Sequence, residues 1–294
     1  MADAGAFAAE RARLMRLAYR MTGSLAEAED VVQDAWLRWV GTAPGAVATP
    51  AAWLTRTVTR LCLDHLKSAR VRRETYVGAW LPEPLLGTTD PEPIADDLTL
   101  TLMLALERLS PLERAAFLLH DVFDVALPEV AATLDRAPAA VRQLAARARR
   151  HVAAARPRYT VDRAAAERIA AAFFAAARDG DSAALAGLLA ADVAIHADGG
   201  GRVLAFRNVI RGVDRVRRLY AGLARKHRDT PPELLAMTWI DGLPGYVSRE
   251  RGGVVQTTAL ELRNGRVAAA YIVRNPDKLA HVCALHAAEV MPRG

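Results

Sequence analysis

The stretch from Leu127 to Val152, LPEVAATLDRAPAAVRQLAARARRHV, constrains the fold most, because its pattern predicts two short helices joined by a tight turn. The second helix opens with Pro138, which suits a first helical position because its missing N–H would be unpaired there. Apolar residues then recur at the spacing of a single helix face. The predicted inward residues are Val130, Ala131, Leu134, Val141, Leu144, Ala145, Ala148 and Val152. This stretch therefore predicts a helix-turn-helix.

The outer face of the second helix is cationic. Seven arginines and no acidic residue lie between Arg136 and Arg158. A cationic, unpaired face on such a helix is suited to enter a major groove and contact phosphates. A basic, solvated helix on a simple helical hairpin is the alternative. We predict DNA binding through this face, which shows Arg142, Gln143, Ala146, Arg147, Arg149 and Arg150.

Length and composition restrict the remaining possibilities. The 294 residues suffice for two or three domains, each with its own core, and the net charge of +6 permits a polyanionic partner. No apolar run approaches the roughly 20 residues of a membrane span. The N-terminal sequence does not resemble a signal peptide. Cys62 and Cys283 lack metal-ligand spacing, so we expect small core residues in a reducing cytoplasm. We expect neither a membrane partner nor a metal or cofactor.

Residues 26–40 predict an amphipathic helix that follows the start of a capping box formed by Ser24 and Glu27. Its buried side would carry Val31, Val32, Ala35, Trp36 and Trp39. Its other side presents Glu27, Asp30 and Asp34 along one edge, with Gln33 beside them, in an otherwise basic chain. This acidic face could dock on a basic protein surface, or it could simply be a solvated helix face. Periodicity alone favours the second explanation.

A second cationic helix is predicted from Pro50 to about Arg73. Arg56, Arg60, Asp64 and Lys67 recur there at i, i+4, i+8 and i+11, on one face. Two cationic helices that flank a linker suggest one long DNA ligand held at two places.

The linker itself, residues 76–98, contains four prolines and two glycines, which exclude a regular helix. It nevertheless carries the large apolar side chains of Tyr76, Trp80 and Leu81. A solvated tether needs none of these, so we expect the linker to dock on its own chain or on a partner.

After Arg158 the pattern changes to an α+β domain. Asp162 caps an alanine-rich helix, and five strand-like runs follow: DVAIHA, RVLAFR, ELLAMTWI, GVVQTTALEL and RVAAAYIVR. Asn264-Gly265 between the last two is a strong hairpin signal. The pattern predicts a cone of helices on a mostly antiparallel sheet.

Such a cone is expected to contain a pocket, and five polar or aromatic side chains could line it. In enzymes, a histidine and an aspartate at such a position can transfer protons. The alternative is that they are strand-end and turn residues, and the glycines that follow suit close approach or positive φ. The five are His196, Asp198, Trp239, Gln256 and Tyr271.

Several motifs carry a family resemblance. AEDVVQDAWLRW, AWLTRTVTRLCLDHL and LSPLERAAFLLHDVFDVALPEVAATLDRAPAAVRQLAARARRHV resemble regions two and four of extracytoplasmic-function (ECF) sigma factors. These are bacterial subunits that bind core RNA polymerase and recognise promoters. YVGAWLPEP, DGGG at 198–201 and NPDKL at 275–279 resemble the signature of the subgroup with a fused SnoaL-like domain, of the NTF2 superfamily. The matches run in order from about residue 10 to 285.

The resemblance implies a domain order. Residues 1–75 would form sigma region two, 76–98 the linker and 99–157 region four, with the SnoaL-like domain at 158–285 and a tail at 286–294.

It also implies roles for the charged faces. Asp30, Gln33 and Asp34 would dock on the clamp helices of the largest polymerase subunit. Arg56, Arg60, Asp64 and Lys67 would face the −10 element, and Arg142, Gln143, Arg147 and Arg149 the −35 element. The chain departs from the family at Arg60, where asparagine is frequent, and at Asp135 and Ala137, where glycine and serine are frequent. Asp135 would have to adopt a left-handed conformation.

The resemblance further implies that the SnoaL-like domain regulates the sigma factor in cis through the linker. The tail beyond Leu279, with His281, would lie across that junction, and an unknown small ligand in the pocket stays open. The residues implied are Tyr76, Trp80, Leu81, Pro82, Asp198, Gly199, Gly200, Gly201, Asn275, Pro276, Asp277, Lys278 and Leu279.

Two functional hypotheses remain at this point. The first is a non-enzymatic sigma factor that acts in the cytoplasm. The second is a stand-alone regulator in which the cone is an enzyme or a sensor. The acidic helix and the second cationic helix favour the sigma factor, since a simple repressor needs neither.

Overall fold

The computed structural model describes residues 3–43, 45–74, 76, 78–87, 100–155 and 162–288. They belong to two compact units. The helical unit comprises Met1–Thr75 and Leu102–Arg156. The mixed unit comprises Tyr76–Thr101 and Pro157–Gly294, so the first part of the linker belongs with the C-terminal domain.

The helical unit begins with three helices: α1 (Ala4–Thr22), α2 (Leu25–Val40) and α3 (Pro50–Glu74). Asp3 and Ser24 cap the starts of α1 and α2, and Gly23 ends α1 in a left-handed conformation. Their core contains Cys62, whose burial raises the thiol pKa as expected for an inert core residue. Cys283, in contrast, is only half-buried. The core also includes Leu14, Leu17, Met21, Val31, Val32, Ala35, Leu54 and Val58.

Four further helices and a π-helical turn follow. They are α4 (Leu100–Glu107), α5 (Pro111–Phe117), the turn Leu118–Val122, α6 (Leu127–Leu134) and α7 (Pro138–Ala155). Ser110 and Glu113 form a reciprocal capping box at the start of α5. Asp135 ends α6 at φ 53° and ψ 54°, which confirms the predicted left-handed conformation. The predicted helix-turn-helix is therefore α6–α7.

A buried arginine joins the two halves of the helical unit. The Arg114 guanidinium, which is 2% exposed, donates to the Met21 carbonyl at 2.6 Å and to the Leu106 carbonyl at 2.7 and 2.9 Å. Its Nη2 lies 2.7 Å from Glu107 Oε1. Because several acceptors surround the charge, burial is tolerated. Arg114 thus ties the end of α1 to α4 and α5.

The mixed unit is an α+β fold, as predicted. Its helices are α8 (Arg163–Asp179), α9 (Ser182–Leu188), α10 (Val213–Lys226) and α11 (Ala280–Ala288). Its strands are β1 (Leu86–Gly87), β2 (Leu189–Asp198), β3 (Ile210–Arg211), β4 (Glu233–Ile240), β5 (Leu243–Arg249), β6 (Val255–Arg263) and β7 (Arg266–Val273). The sheet order is β1-β4-β5-β6-β7-β2-β3. The β2–β7 pair is parallel and the other pairs are antiparallel.

The first strand of this sheet comes from the linker. Leu86 pairs with Ile240 and Gly87 with Trp239 on β4, so β1 forms one edge of the sheet. A Cβ on Gly87 would lie 3.2 Å from the Trp239 Cβ, so a larger residue would crowd this edge. The linker therefore docks on its own chain, which is one of the two options that its apolar residues allowed.

Two details of the predicted sheet need correction. The run RVLAFR is not a strand: Arg202 and Val203 both donate their N–H to the Gly199 carbonyl, and this turn precludes extended pairing there. The strand at this position is the two-residue β3. The strand β5 was missed because Pro244 and Gly245 interrupt its pattern. The hairpin at Asn264-Gly265 is confirmed, with φ of 54° and 70°.

The helices α8, α9 and α10 cover one face of the sheet and form its core. The fully buried side chains there include Phe173, Leu185, Val193, Ile195, Val216, Leu260 and Val267. In the part of the chain that the structure describes, no helix has the length and apolar character needed to cross a membrane.

Candidate promoter-binding and linker-docking sites

The acidic face of α2 is fully exposed. Asp30, Gln33 and Asp34 all point to solvent, while Ala28, Val31, Val32 and Ala35 are buried behind them. Leu37 lies one turn further on the same face and is 61% exposed. We call Asp30, Gln33, Asp34 and Leu37 the α2 ridge. Sequence reasoning missed Leu37, although its i+3 and i+4 spacing from Asp34 and Gln33 could have identified it.

The cationic face of α3 is exposed as predicted. Arg56, Arg60, Asp64 and Lys67 all face solvent. Lys67 Nζ lies 2.9 Å from Asp64 Oδ1, but both side chains are more than two thirds exposed, so this pair contributes little stability. Arg60 Nε lies 3.5 Å from the Thr133 carbonyl of α6, at the limit of a hydrogen bond.

The outer face of α7 is exposed but not unpaired. Arg147 Nε lies 2.8 Å from Glu113 Oε1, and Arg149 Nε lies 2.5 Å from Asp121 Oδ1. The expectation of an unpaired arginine face was therefore wrong. The acidic partners come from α5 and the π-helical turn, too far away in sequence for a local charge count to include them.

Glu113 illustrates how this pairing is stabilised. Burial would raise the pKa of its carboxyl, but hydrogen bonds from the Ser110 hydroxyl and N–H and from Arg147 outweigh it and lower the pKa. Arg142 and Gln143 lie on the exposed face of the same helix, nearer its N-terminus. The α7 face thus offers arginines that can exchange a carboxylate for a phosphate.

The second site is built around a buried carboxylate at the end of β2. The Asp198 side chain has no exposed surface, yet both of its oxygens accept hydrogen bonds. Oδ1 accepts from the Tyr76 hydroxyl at 2.5 Å and from the Gly200 N–H at 3.0 Å. Oδ2 accepts from the Leu81 N–H at 2.9 Å and from Lys278 Nζ at 2.8 Å. Two of these four donors belong to the linker.

Lys278 and Asn275 complete this cluster from the NPDKL motif. Lys278 Nζ also donates to the Leu81 carbonyl and lies 4.2 Å from the centroid of the Trp80 ring, a cation–π contact. Asn275 Nδ2 donates to the Tyr76 hydroxyl oxygen at 3.1 Å. The structure therefore brings three motifs together that are far apart in sequence. Leu81 and Pro82 are buried in this arrangement.

The glycines of the DGGG motif allow Val203 and Asn275 to lie close to the backbone of this turn. A Cβ on Gly199 would lie 2.2 Å from the Val203 carbonyl oxygen, and one on Gly200 would lie 2.3 Å from Asn275 Nδ2. Gly200 and Gly201 also have positive φ values of 62° and 72°. No other residue fits Gly200 without moving Asn275. Asp277, at the far side of the motif, pairs with Arg202 at 3.3 Å on the surface.

The linker residues from Glu83 to Leu85 contact α11 and the β4–β5 turn. His281 Nε2 lies 2.8 Å from the Pro84 carbonyl oxygen, and Nδ1 lies 3.4 Å from the buried Glu83 carboxylate. Burial would lower the pKa of His281, but these two partners raise it above its usual value. The Asp241 N–H donates to the Leu85 carbonyl at 2.9 Å. We call residues 76, 78–87 and their partners the linker-docking site.

A cavity of about 410 Å³ lies on the helix-covered side of the sheet. Of the five predicted pocket residues, only Gln256 lines it. His196 stacks on Tyr271 with ring centroids 5.1 Å apart, and Trp239 donates to Glu167 at 2.9 Å. The neighbours Ala197 and Ile272 line the cavity instead. Because side chains alternate along a strand, His196 and Tyr271 face the other side of the sheet.

Asp198 does not line this cavity. Its carboxylate accepts hydrogen bonds from the linker, so it is not placed to transfer a proton there. Among the described residues, no group of three or more His, Cys, Asp or Glu side chains is arranged to hold a metal ion.

Comparison with known proteins assigns the class. The family model of Sigma-70 region 2 matches residues 6–72, and that of Sigma-70 region 4 matches residues 99–152. The helical unit therefore carries the two promoter-recognition regions of a sigma factor, and α6–α7 is its DNA-binding helix-turn-helix.

Full-length relatives make the assignment specific. The ECF RNA polymerase sigma factor SigJ of Mycobacterium tuberculosis is 42% identical over 289 residues, which cover 92% of this chain and 91% of the relative. The probable ECF RNA polymerase sigma factor SigI of the same species is 33% identical and covers 93% of both chains. The crystal structure of SigJ aligns with a TM-score of 0.74 at 37% identity, over 95% of this chain and 98% of that one. The chain belongs to the ECF RNA polymerase sigma factors, which are transcription initiation factors and not enzymes.

Proposed function

We propose that this sigma factor directs transcription from specific promoters under cis control by its C-terminal SnoaL-like domain, which holds the linker between regions two and four. The observation that carries this proposal is the buried Asp198 carboxylate, which accepts hydrogen bonds from Tyr76 and Leu81 of the linker. Removing the partners of a buried carboxylate is strongly destabilising, so these contacts favour the docked linker. A docked linker restricts the positions that the two regions can adopt on a promoter.

The same proposal assigns the α2 ridge to the core polymerase, at the clamp helices of its largest subunit. An acidic face is repelled by DNA, and an exposed leucine flanked by carboxylates suits a basic protein surface with an apolar centre. The exposure of Asp30, Gln33, Asp34 and Leu37 on one face supports this role.

A test of the core-binding role compares two double variants in a pull-down with core RNA polymerase. Asp30→Ala/Asp34→Ala removes two charges from the ridge. Asp214→Ala/Asp229→Ala removes two exposed charges from the mixed unit and serves as the control. We expect only the first to lose polymerase binding. Equal binding by both would reject the ridge as the docking face.

The two cationic faces are assigned to the promoter. Arg56, Arg60, Asp64 and Lys67 would contact the −10 element, and Arg142, Gln143, Arg147 and Arg149 the −35 element. Arg147 and Arg149 would leave Glu113 and Asp121 for phosphates, and Arg60 would leave the Thr133 carbonyl. These exchanges predict a binding constant that falls steeply with salt. The protein would act in the cytoplasm, where core polymerase and DNA are found.

The cis-control proposal is tested with two variants of strand β2. Asp198→Ala removes the acceptor of the linker, whereas Asp192→Ala removes an exposed carboxylate on the same strand. Hydrogen exchange at the Leu81 amide reports docking, and transcription with core polymerase reports activity. We expect Asp198→Ala to accelerate exchange and change promoter output, and Asp192→Ala to do neither. A freed linker with unchanged output would overturn cis control.

A further inference from the structure

The cavity of the mixed unit has the size and lining of a ligand site. It lies between α8, α10 and strands β2, β5, β6 and β7, and its volume of about 410 Å³ is within the range of small-molecule pockets. Much of its wall is apolar, with Phe174, Val203, Phe206, Leu223 and Ile272 among the lining residues. Such a wall favours an apolar ligand body.

Three buried polar atoms in this wall lack hydrogen-bond partners among the described residues: the Tyr220 hydroxyl, Arg274 Nε and His227 Nδ1. The first two are donors. The Tyr220 hydroxyl is fully buried, and its burial raises the pKa well above the usual value, so it stays a neutral donor. Arg274 Nε is also buried without an acceptor, while Nη1 of the same side chain donates to the Leu204 carbonyl at 3.1 Å. Buried donors normally have acceptors, so these two indicate an absent one.

The charge of the lining favours an anion. Arg178, Lys226, Arg251 and Arg274 line the cavity, and Glu250 is the single acidic residue among the described lining residues. Glu250 accepts a hydrogen bond from Ser248 Oγ at 2.9 Å, and Arg178 is already paired with Asp179. Without Arg178, the lining still has three basic side chains and only one carboxylate, which is itself hydrogen-bonded. The three are Lys226, Arg251 and Arg274.

We propose that this cavity binds a small apolar acid, whose aromatic or aliphatic body contacts the apolar wall and whose anionic group accepts from Arg274, with Tyr220 as a second donor.

The cavity is connected to the linker-docking site through shared segments. The Arg274 side chain lines the cavity, while its backbone N–H donates to the Asp198 carbonyl at 2.7 Å. Val203, another lining residue, donates its N–H to the carbonyl of Gly199, the residue after Asp198. A ligand that contacts both segments stabilises the arrangement in which Asp198 holds the linker, by mass action. This step rests on the proposed cis control: the acid would be a signal that keeps the linker docked.

The binding test uses two fluorescent probes with the same ring system, titrated into the full-length protein. 8-Anilinonaphthalene-1-sulfonate carries an anionic group, and N-phenyl-1-naphthylamine lacks it. We expect saturable binding of the sulfonate at one site, about tenfold tighter than the neutral probe, since a hydrogen bond to a charged group contributes that much. Equal affinity of the two probes would overturn the acid as ligand and leave a purely apolar one.

Three variants locate the site. Tyr220→Phe removes only the unpartnered hydroxyl, and Arg274→Gln removes the guanidinium. Arg211→Gln removes an exposed charge on β3, outside the cavity, as the control. We expect the first two to weaken sulfonate binding severalfold and the third to leave it unchanged. Since Tyr220→Phe deletes no observed hydrogen bond, unchanged binding by this variant and by Arg274→Gln would place the probe elsewhere and reject the site.

The coupling has a separate readout. Saturating sulfonate is expected to slow hydrogen exchange at the Leu81 amide in the wild-type protein and to have no such effect in Asp198→Ala. Tight binding with unchanged Leu81 exchange would overturn the coupling while the binding site stands. Failure of cis control is recognised independently, as a change in Leu81 exchange that leaves promoter output unaltered.

Discussion

The Tyr76 hydroxyl oxygen lies 2.5 Å from Oδ1 of Asp198, although 122 residues separate the two in sequence. Tyr76 opens the linker and Asp198 ends strand β2, so this hydrogen bond joins the first residue of the linker to the C-terminal domain. Burial and the Asp198 carboxylate both raise the pKa of the Tyr76 phenol, which therefore remains a donor at neutral pH. A substitution that removes this hydrogen bond should therefore weaken the docking of the linker on the C-terminal domain.

Replacing Tyr76 by phenylalanine removes this donor and keeps the ring under Lys278. A hydrogen bond to a charged group contributes about 1.5–3 kcal/mol, so linker opening should become at least tenfold more frequent. Hydrogen exchange at the Leu81 amide measures it. Tyr271→Phe is the control, because its hydroxyl donates to Glu261 in the same unit at 2.8 Å. Similar exchange rates in both variants would contradict a specific role for Tyr76.

A comparison of Gly200 with Gly252 separates the cost of backbone strain from the cost of a steric clash. An alanine at Gly200 would be strained at φ 62° and would also place its Cβ 2.3 Å from Asn275 Nδ2. Gly252 has a φ of 78° with no atom within 4 Å of such a Cβ. Gly252→Ala should cost about 1–2 kcal/mol of unfolding free energy, the strain alone. Gly200→Ala should cost more and also accelerate exchange at Leu81. Equal losses in denaturant unfolding, with no change at Leu81, would show that the clash is relieved without effect on the linker.

The docked linker should be sensitive to pH through His281. Its pKa is raised in the docked state, by Glu83 and the Pro84 carbonyl, with Asp241 also nearby. A raised pKa means that its stabilising contribution is complete below the unfolded-state value of about 6.5 and is lost as the pH rises through the docked-state value. Protection of the linker from proteolysis should therefore decrease as the pH rises above about 6.5 and through the docked-state pKa, beyond the intrinsic pH dependence of the protease.

The variant His281→Gln should abolish this dependence. His151, exposed on α7, offers the control His151→Gln, in which the dependence should persist. A pH profile that is the same in both variants would assign the effect to another group.

Arg114 should be the most costly single substitution in the helical unit. Arg114→Met leaves Glu107 and the Met21 and Leu106 carbonyls without their shared donor, and removing one partner of a buried pair costs about 3–5 kcal/mol. Arg108→Met, at an exposed neighbouring site, should change stability by less than about 0.5 kcal/mol. Chemical denaturation followed by circular dichroism measures both. A loss below about 1 kcal/mol for Arg114→Met would mean that the guanidinium does not join α1 to α5 in solution.

Local patterns were sufficient for most of the helical elements. The helix-turn-helix, the capping residue Ser24 at the start of α2 and the hairpin at Asn264-Gly265 depend on residues close in sequence, and all are confirmed. The left-handed Asp135 also follows from a local requirement, namely a sharp turn without glycine. The α2 ridge and the α3 face follow from helical periodicity, so their exposure could be predicted, whereas their roles rest on the family resemblance.

Contacts between distant residues could not be predicted in the same way. Glu113 neutralises Arg147 from 34 residues away, which no charge count along α7 reveals. The cavity was assigned to the wrong side of β2 and β7, because a shift of one residue along a strand exchanges its two faces. That Tyr76, Asp198 and Lys278 meet was expected only from the resemblance, since a buried carboxylate has no local signature.

A double-mutant cycle on Tyr76 and Asp198, read out as promoter-specific transcription with core RNA polymerase, tests the account most directly. The singles Tyr76→Phe and Asp198→Ala are compared with the double variant. If both act by releasing the same linker contact, the double variant should change output no more than Asp198→Ala alone, so the two effects are not additive. Fully additive effects, or no change of output in any of the three, would contradict control of transcription by this contact.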